Sequence, residues 1–249
     1  MVRFHMNKNQ RFMNLAASAW VAIAALFVAG IPLLAQTGAV QSRSDGHVVT
    51  NSPLKQIDAG VFEIGKVRLD KNQRTIRFPA VVNMDQGAVE YLLVNESGKV
   101  HESVFRTEAE PYHIHLATLL VGAKESIPAS AGTATNASVL AGDKVSISAS
   151  WKTDGVESHC RGEDLVFNTQ TKSPMSRGNW VYNGSRVVEG TFLAQRDGSL
   201  VSIISDQDAL INNPRPGREN DEIWQVNTNT VPPVGTAVQI TIKLEGGGK

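Results

Sequence analysis

One cysteine, Cys160, is the whole thiol supply of a 249-residue chain. No intramolecular disulfide, four-cysteine zinc site or all-cysteine iron–sulfur cluster can therefore be built from this chain alone. An excess of one charge sign is also missing, since Lys+Arg and Asp+Glu both number 24. The first 39 residues hold three of the basic residues, Arg3, Lys8 and Arg11, and no acidic one, so the remainder carries 21 basic against 24 acidic residues, a net charge of −3. That balance offers nucleic acid no electrostatic attraction. Familiar catalytic signatures are absent as well. Gly60–Lys66 has the spacing of a phosphate loop, but Val67 stands where a Ser or Thr is required, and His101-Glu102 would open a zinc-protease motif only if Phe105 were histidine. Neither a G-x-S-x-G elbow nor a dinucleotide fingerprint occurs. With 41% hydrophobic and 19% charged residues, the chain has the composition of a folded protein.

One long apolar run is present, Leu15 to Leu34, and Arg3, Lys8 and Arg11 precede it. Basic flank followed by apolar run is the layout of a secretory signal peptide. Thr37-Gly38-Ala39 suits cleavage after Ala39, whereas roughly twenty apolar residues are also long enough to span a bilayer as an uncleaved inner-membrane anchor. No cysteine stands at the end of the run, where a lipoprotein anchor requires one, which excludes that anchor. The expectation is an exported protein, periplasmic or extracellular, or one anchored facing the periplasm, with residues 1–39 as signal peptide or anchor and 40–60 as a polar linker.

From residue 61 onward short β-rich runs alternate with turn chemistry. Val61–Leu69, Thr75–Val82, Val89–Val94 and Val100–Phe105 read as strands, the last two as a hairpin around Asn95-Glu96-Ser97-Gly98. Pro111 opens and Gly122 closes an apolar segment that reads as a short helix. The Ala/Ser/Thr-rich stretch 122–142 reads as an irregular connection. After it, Val145, Ile147, Ala149 and Trp151 alternate with serines, and Val238, Ile240, Ile242 and Leu244 form a similar final strand. Leu165–Asn168, Trp180–Tyr182, Val187–Ala194 and Leu200–Ile204 supply further strands, and Asp206–Ile211 a helical turn or two. About nine strands and one helix predict a mainly β fold, an antiparallel sandwich or open barrel with one short helix packed on a face, in a single domain over 61–245.

The candidate site lies where the second strand of the expected hairpin meets the helix. His101, Glu102, His113 and His115 fall close together in sequence. On a helix, residues two apart point about 200° away from each other, so His113 and His115 would not share a metal there, although an extended segment would put both on one face. A divalent metal held by His101, Glu102 and His115 is one reading; histidines that hydrogen-bond buried backbone and cap the helix is the other. Cys160, between His159 and Arg161, has cationic neighbours that would lower its pKa. Asn212, Asn213, Asn220, Asp221 and Glu222 carry calcium-type oxygens in what reads as a solvated loop. Trp180, Tyr182 and Trp224 read as core anchors, with a ligand pocket as the alternative.

Phe78-Pro79-Ala80-Val81-Val82-Asn83, Val89-Glu90-Tyr91-Leu92-Leu93-Val94, Gly98-Lys99-Val100-His101-Glu102-Ser103, and Thr107 and Pro111 ahead of Ile114-His115-Leu116-Ala117 occur in that order. Trp180-Val181-Tyr182-Asn183-Gly184-Ser185 and Ala194 to Gly198 follow. Together they resemble the bacterial YdjY-domain family over about residues 60 to 244. The resemblance implies an exported protein, a single domain across the Ala/Ser stretch, and a site including His101, Glu102, Thr107 and His115; it implies no reaction. Some members carry an iron–sulfur label, which a chain with one cysteine does not inherit. Two function classes follow: a non-enzymatic extracytoplasmic domain that binds or builds with a protein or envelope partner, or a metal-dependent hydrolase or redox protein using His101, Glu102 and His115.

Overall fold

Residues 52–124 and 140–246 are described by the computed structural model. The expected leader, the linker up to residue 51, and residues 125–139 of the Ala/Ser stretch lie outside the described residues. In chain order the elements are β1 (Lys55–Asp58), β2 (Val61–Ile64), β3 (Val67–Asp70), β4 (Thr75–Val82), β5 (Tyr91–Asn95), β6 (Ser103–Thr107), α1 (Pro111–Leu120), β7 (Asp143–Thr153) and β8 (Val156–Arg161). They continue with β9 (Val166–Asn168), β10 (Ser173–Pro174), β11 (Trp180–Tyr182), β12 (Val187–Val188), β13 (Thr191–Phe192), α2 (Leu193–Asp197), β14 (Ser199–Ser202), β15 (Ile211–Asn212), β16 (Trp224–Val226) and β17 (Ala237–Leu244).

The expected β architecture is present as a barrel. Its wall runs β4-β17-β7-β11-β15-β14-β5-β6, and β6 pairs back onto β4 to close the ring. The long strands β4, β17 and β7 form this wall because their sequences alternate. Ile76, Phe78, Ala80 and Val82 on β4, Val145, Ile147 and Ala149 on β7, and Val238, Ile240, Ile242 and Leu244 on β17 point inward, each 4% exposed or less. Burying each large side chain among them is worth about 1.5–3 kcal/mol. β8 extends the wall from β7, and β1-β2-β3 extend it from β4. Among the described residues no helix is long and apolar enough to cross a membrane.

Four local expectations change. Val61–Leu69 is a hairpin, not one strand, because Gly65 takes a positive φ of 55° between β2 and β3. β5 and β6 pair in parallel through Leu93↔Phe105 and Val94↔Arg106, so the expected hairpin is absent. The connection returns the chain through a 3-10 turn, Val100–Glu102, where His101 and Glu102 sit instead of on a strand. Val187–Ala194 breaks into the two-residue strands β12 and β13 and the first turn of α2, and Asp206–Ile211 makes turns leading into β15.

Helix α1 is the anticipated one. Pro111 occupies its first turn, and Gly122, at φ 100°, follows its end with its N–H on the Leu119 carbonyl at 2.9 Å. Arg74 sends Nε toward the Val121 carbonyl at 3.4 Å, a cation at the negative end of the helix. Pro111, His113, Ile114, His115, Ala117 and Thr118 are all buried, so the helix is covered around most of its circumference, against β3, β4 and α2.

Candidate functional site

The Lys99–Ser103 segment divides its labour. Ser103 is buried and donates Oγ to the Phe105 carbonyl at 2.8 Å, fixing the turn into β6. Lys99 is the hub of a charged cluster on the rim. Its Nζ donates to Tyr91 Oη at 3.1 Å and lies 3.5 Å from Glu102 and 3.9 Å from Glu90, while Tyr91 donates to Asp206 Oδ2 at 2.9 Å. Burial lifts the Glu90 carboxyl above its ordinary range, helped by the neighbouring Glu102 carboxylate. Burial together with Asp206 pushes the Tyr91 hydroxyl up to about 12. For Lys99, burial pulls the pKa down, but the Tyr91 bond and the Glu102 and Glu90 carboxylates outweigh it and raise it. An ammonium held charged in this way is no nucleophile, which needs a depressed pKa. His101 projects into solvent, its side chain 77% exposed, with Nε2 3.7 Å from Glu102 Oε2.

The helix histidines go elsewhere, and to different neighbours. His115 Nδ1 is 2.8 Å from Tyr182 Oη, and its ring lies 4.8 Å from that of Phe192. His113 packs over the β2–β3 turn so closely that a Cβ on Gly65 would sit 2.5 Å from its Nδ1. This is the divergence that a helix imposes on residues two apart. Among the described residues no group of three or more His, Cys, Asp or Glu is placed to hold a metal ion. The structure thus keeps His101 and Glu102 together on the 3-10 turn and does not gather His115 into a ligand set with them.

Thr107 lies at a fork in the barrel wall. β3 pairs with β4 as far as Arg77, and β6 takes over that edge only at Val81 and Val82, so the middle of the strand is paired with β17 alone. Pro79 occupies this gap, where a strand can tolerate a residue with no N–H. Its carbonyl accepts from Thr107 Oγ1 at 2.6 Å, and Thr107 Oγ1 in turn accepts the Ala109 N–H at 3.0 Å. Asn95 steadies the chain leaving β6, donating Nδ2 to the Thr107 and Ala109 carbonyls at 3.1 and 3.2 Å. The fork opens a depression of about 390 Å³, with Pro79, Ala80, Val81 and Ala237 as apolar floor and Lys66, Glu96, Arg106 and Glu108 as rim. Lys66 pairs with Glu108 across it. Of the rim residues only Lys66 belongs to a motif, the incomplete phosphate-loop spacing, which does not point to this place. The one sequence signal for this place was Pro79 inside an alternating strand, which marks an interrupted edge.

Other sequence candidates have structural roles. Gly60–Lys66 is a turn, a strand and a second turn, with no helix after it. Cys160 lies on β8, and burial plus the Asp164 carboxylate push its thiol up to about 12 against the pull of Arg177, the reverse of the lowering expected from its cationic neighbours. Asn212 and Asn213 are buried, donating to Asn183 Oδ1 and the Ile203 carbonyl at 2.9 Å each. Asn220 accepts the Glu222 N–H at 3.0 Å. Trp180, Tyr182 and Trp224 are core residues, each 2% exposed or less.

A buried ionic centre escaped the sequence reading. Glu163 is fully buried and accepts from Arg215 Nη2 at 2.9 Å, Arg161 Nη2 at 3.0 Å and the Gly178 N–H at 3.1 Å. Arg215 lies over the Trp180 ring, 5.2 Å from its centroid. Nothing in Gly162-Glu163-Asp164 distinguishes this glutamate from a surface one.

No curated protein and no solved structure matches the chain. A family model, the YdjY domain, matches residues 67–243, from β3 to the end of the barrel wall. Several of the motif residues it spans tie the fold together: Ser103 in the turn, Thr107 at the fork, His115 on Tyr182, and Ser185, whose Oγ accepts the Ala194 N–H at 3.1 Å. The chain belongs to the YdjY domain family.

Proposed function

We propose that this chain is an exported, extracytoplasmic binding domain whose ligand seats in the depression at the fork of the barrel wall. The observation that carries the reading is the depression itself: an apolar floor made by a break in strand pairing, ringed by Lys66, Glu96, Arg106 and Glu108. Binding sites combine apolar concavity with a few charges that fix orientation. Arg3, Lys8 and Arg11 ahead of the Leu15–Leu34 run support export. The competing hydrolase reading gains no support from His115, whose Nδ1 faces Tyr182.

Two measurements test it. Fractionation of cells expressing the full chain, with the N-terminal residue read by mass spectrometry, tests export; an intact chain confined to the cytosol overturns that half. A thermal-shift screen of soluble envelope glycans, muropeptides and peptides tests binding against Ala237→Trp, which fills the depression from the exposed start of β17. The expected result is a ligand-induced rise in Tm that Ala237→Trp abolishes. No shift by any component, or a shift that survives the substitution, overturns the site.

A further inference from the structure

The depression at the fork does not end there. On the outer faces of β4, β17 and β7 the register sets side chains in rows: Thr75, Lys243 and Ser146; Arg77, Thr241 and Ser148; Pro79, Gln239 and Ser150. One concavity of about 430 Å³ covers the first two rows and is lined by Gln73, Thr75, Arg77, Ser146, Ser148, Thr241 and Lys243, with no carboxylate. A second, of about 600 Å³, includes Trp151, Lys152, Glu157 and Gln239. It shares Arg77 and Thr241 with the first and Pro79 and Ala237 with the fork. The three depressions therefore form one groove along the barrel wall.

We infer that this groove takes an acidic glycan, a hydroxyl-rich chain bearing carboxylates, with its oxyanions on Arg77 and Lys243; the inference rests on the binding function proposed above and names the ligand class. Arg77 and Lys243 are diagonal neighbours across two strands, about 7–8 Å apart at the backbone, within joint reach of one oxyanion. Neither has an ion-pair partner among the described residues; Arg77 donates only to Gln73 Oε1, at 3.3 Å. Thr75, 5% exposed and lining the first concavity, has a buried Oγ1 without a hydrogen-bond partner, a polar group left open where nearly all such groups are paired. The rest of the lining includes the Ser148, Ser150 and Thr241 hydroxyls and the Gln73 and Gln239 amides, the neutral donors and acceptors that sugar hydroxyls match, while Ser146 Oγ donates to Glu245 Oε1 at 2.6 Å. The half-buried Trp151 adds an apolar face at one end. A nucleic acid fits less well, because bases stack on successive aromatic side chains and the groove has one aromatic residue, Trp151.

The test is equilibrium binding of the chain to sodium polygalacturonate, neutral dextran and polyphosphate at low and near-physiological salt. Variants are Arg77→Ala/Lys243→Ala, Thr75→Val, Ala237→Trp and, as a control on the outer strand β1, Lys55→Ala. The inference expects polygalacturonate to bind, dextran not to bind, affinity to fall with salt, and the double variant to lose at least tenfold while Lys55→Ala loses nothing. Thr75→Val, which keeps the side-chain shape and removes an unpaired buried hydroxyl, should lose severalfold in affinity with a Tm equal to or above that of the parent chain. Equal or tighter binding of polyphosphate overturns the glycan assignment. Polygalacturonate binding that Ala237→Trp abolishes but Arg77→Ala/Lys243→Ala leaves intact overturns the groove and keeps the fork. A different ligand that binds at the fork while polygalacturonate does not overturns the inference alone, and absence of any Ala237→Trp-sensitive ligand overturns both readings.

Discussion

Tyr182 on β11 and His115 on α1, 67 residues apart in sequence, meet through a 2.8 Å hydrogen bond that ties the helix to the barrel wall. Tyr182→Phe keeps the buried ring and removes the hydroxyl from His115. A buried polar group deprived of its partner costs about 1–3 kcal/mol. Urea unfolding of Tyr182→Phe, His115→Phe and the double variant should show each single loss in that range and a double loss smaller than their sum. Additive losses would mean the two residues stabilise the fold independently.

Glu163 should be among the costliest residues to remove. It is fully buried with Arg161 and Arg215 on its oxygens, and removing it leaves the buried Arg215 guanidinium without its carboxylate. Glu163→Ala should cost about 3–5 kcal/mol in chemical denaturation. A loss under about 1 kcal/mol would show that the arginines find other partners or water.

Alkali should weaken the fold. Burial raises Cys160 from 9.0 to about 12 and Tyr91 from 10.0 to about 12. In both cases the unfolded chain releases its proton at a lower pH than the folded chain, so stability is full below about 9 and falls as pH rises toward 12. The same shift leaves roughly a thousandfold less thiolate than an ordinary cysteine at pH 8. Native protein should react correspondingly slowly with maleimide, and urea-unfolded protein quickly. Rapid native labelling would contradict the burial of Cys160.

At the β2–β3 turn, Gly65 combines a φ of 55° with direct contact to His113. Gly65→Ala forces a Cβ into the imidazole and a non-glycine residue into the left-handed region, which together cost about 1–3 kcal/mol. Adding His113→Ala should relieve the contact but not the backbone strain, so circular-dichroism melts should show partial recovery. Full recovery would assign the whole effect to the clash.

Long elements were legible in the sequence because their periodicity reports one buried face. Thr75–Val82 is a strand over those residues, the alternations of Val145 to Trp151 and Val238 to Leu244 fall within β7 and β17, and the Pro111 helix begins where its proline predicts. Partner choice was not legible. A period of two is the same whether Tyr91–Asn95 pairs with Ser103–Thr107 in parallel or as a hairpin, and strands of two residues such as β12 and β15 have no period to read. The same limit governs the site. Thr107 stood out by resemblance, whereas Lys66, Glu96, Arg106 and Glu108 converge only because β3 and β6 share one edge of β4.

The fork is the centre of the account, and site-specific photo-crosslinking in the intact cell tests it most directly. A photo-crosslinking amino acid is placed at Ala237, which lines the depression, or at Val187, which is 67% exposed on β12 and lines none of the three depressions. A ligand seated at the fork gives a discrete envelope-derived adduct from position 237 that Arg106→Glu weakens and position 187 does not give. Equal labelling from both positions, or none from 237, would contradict it.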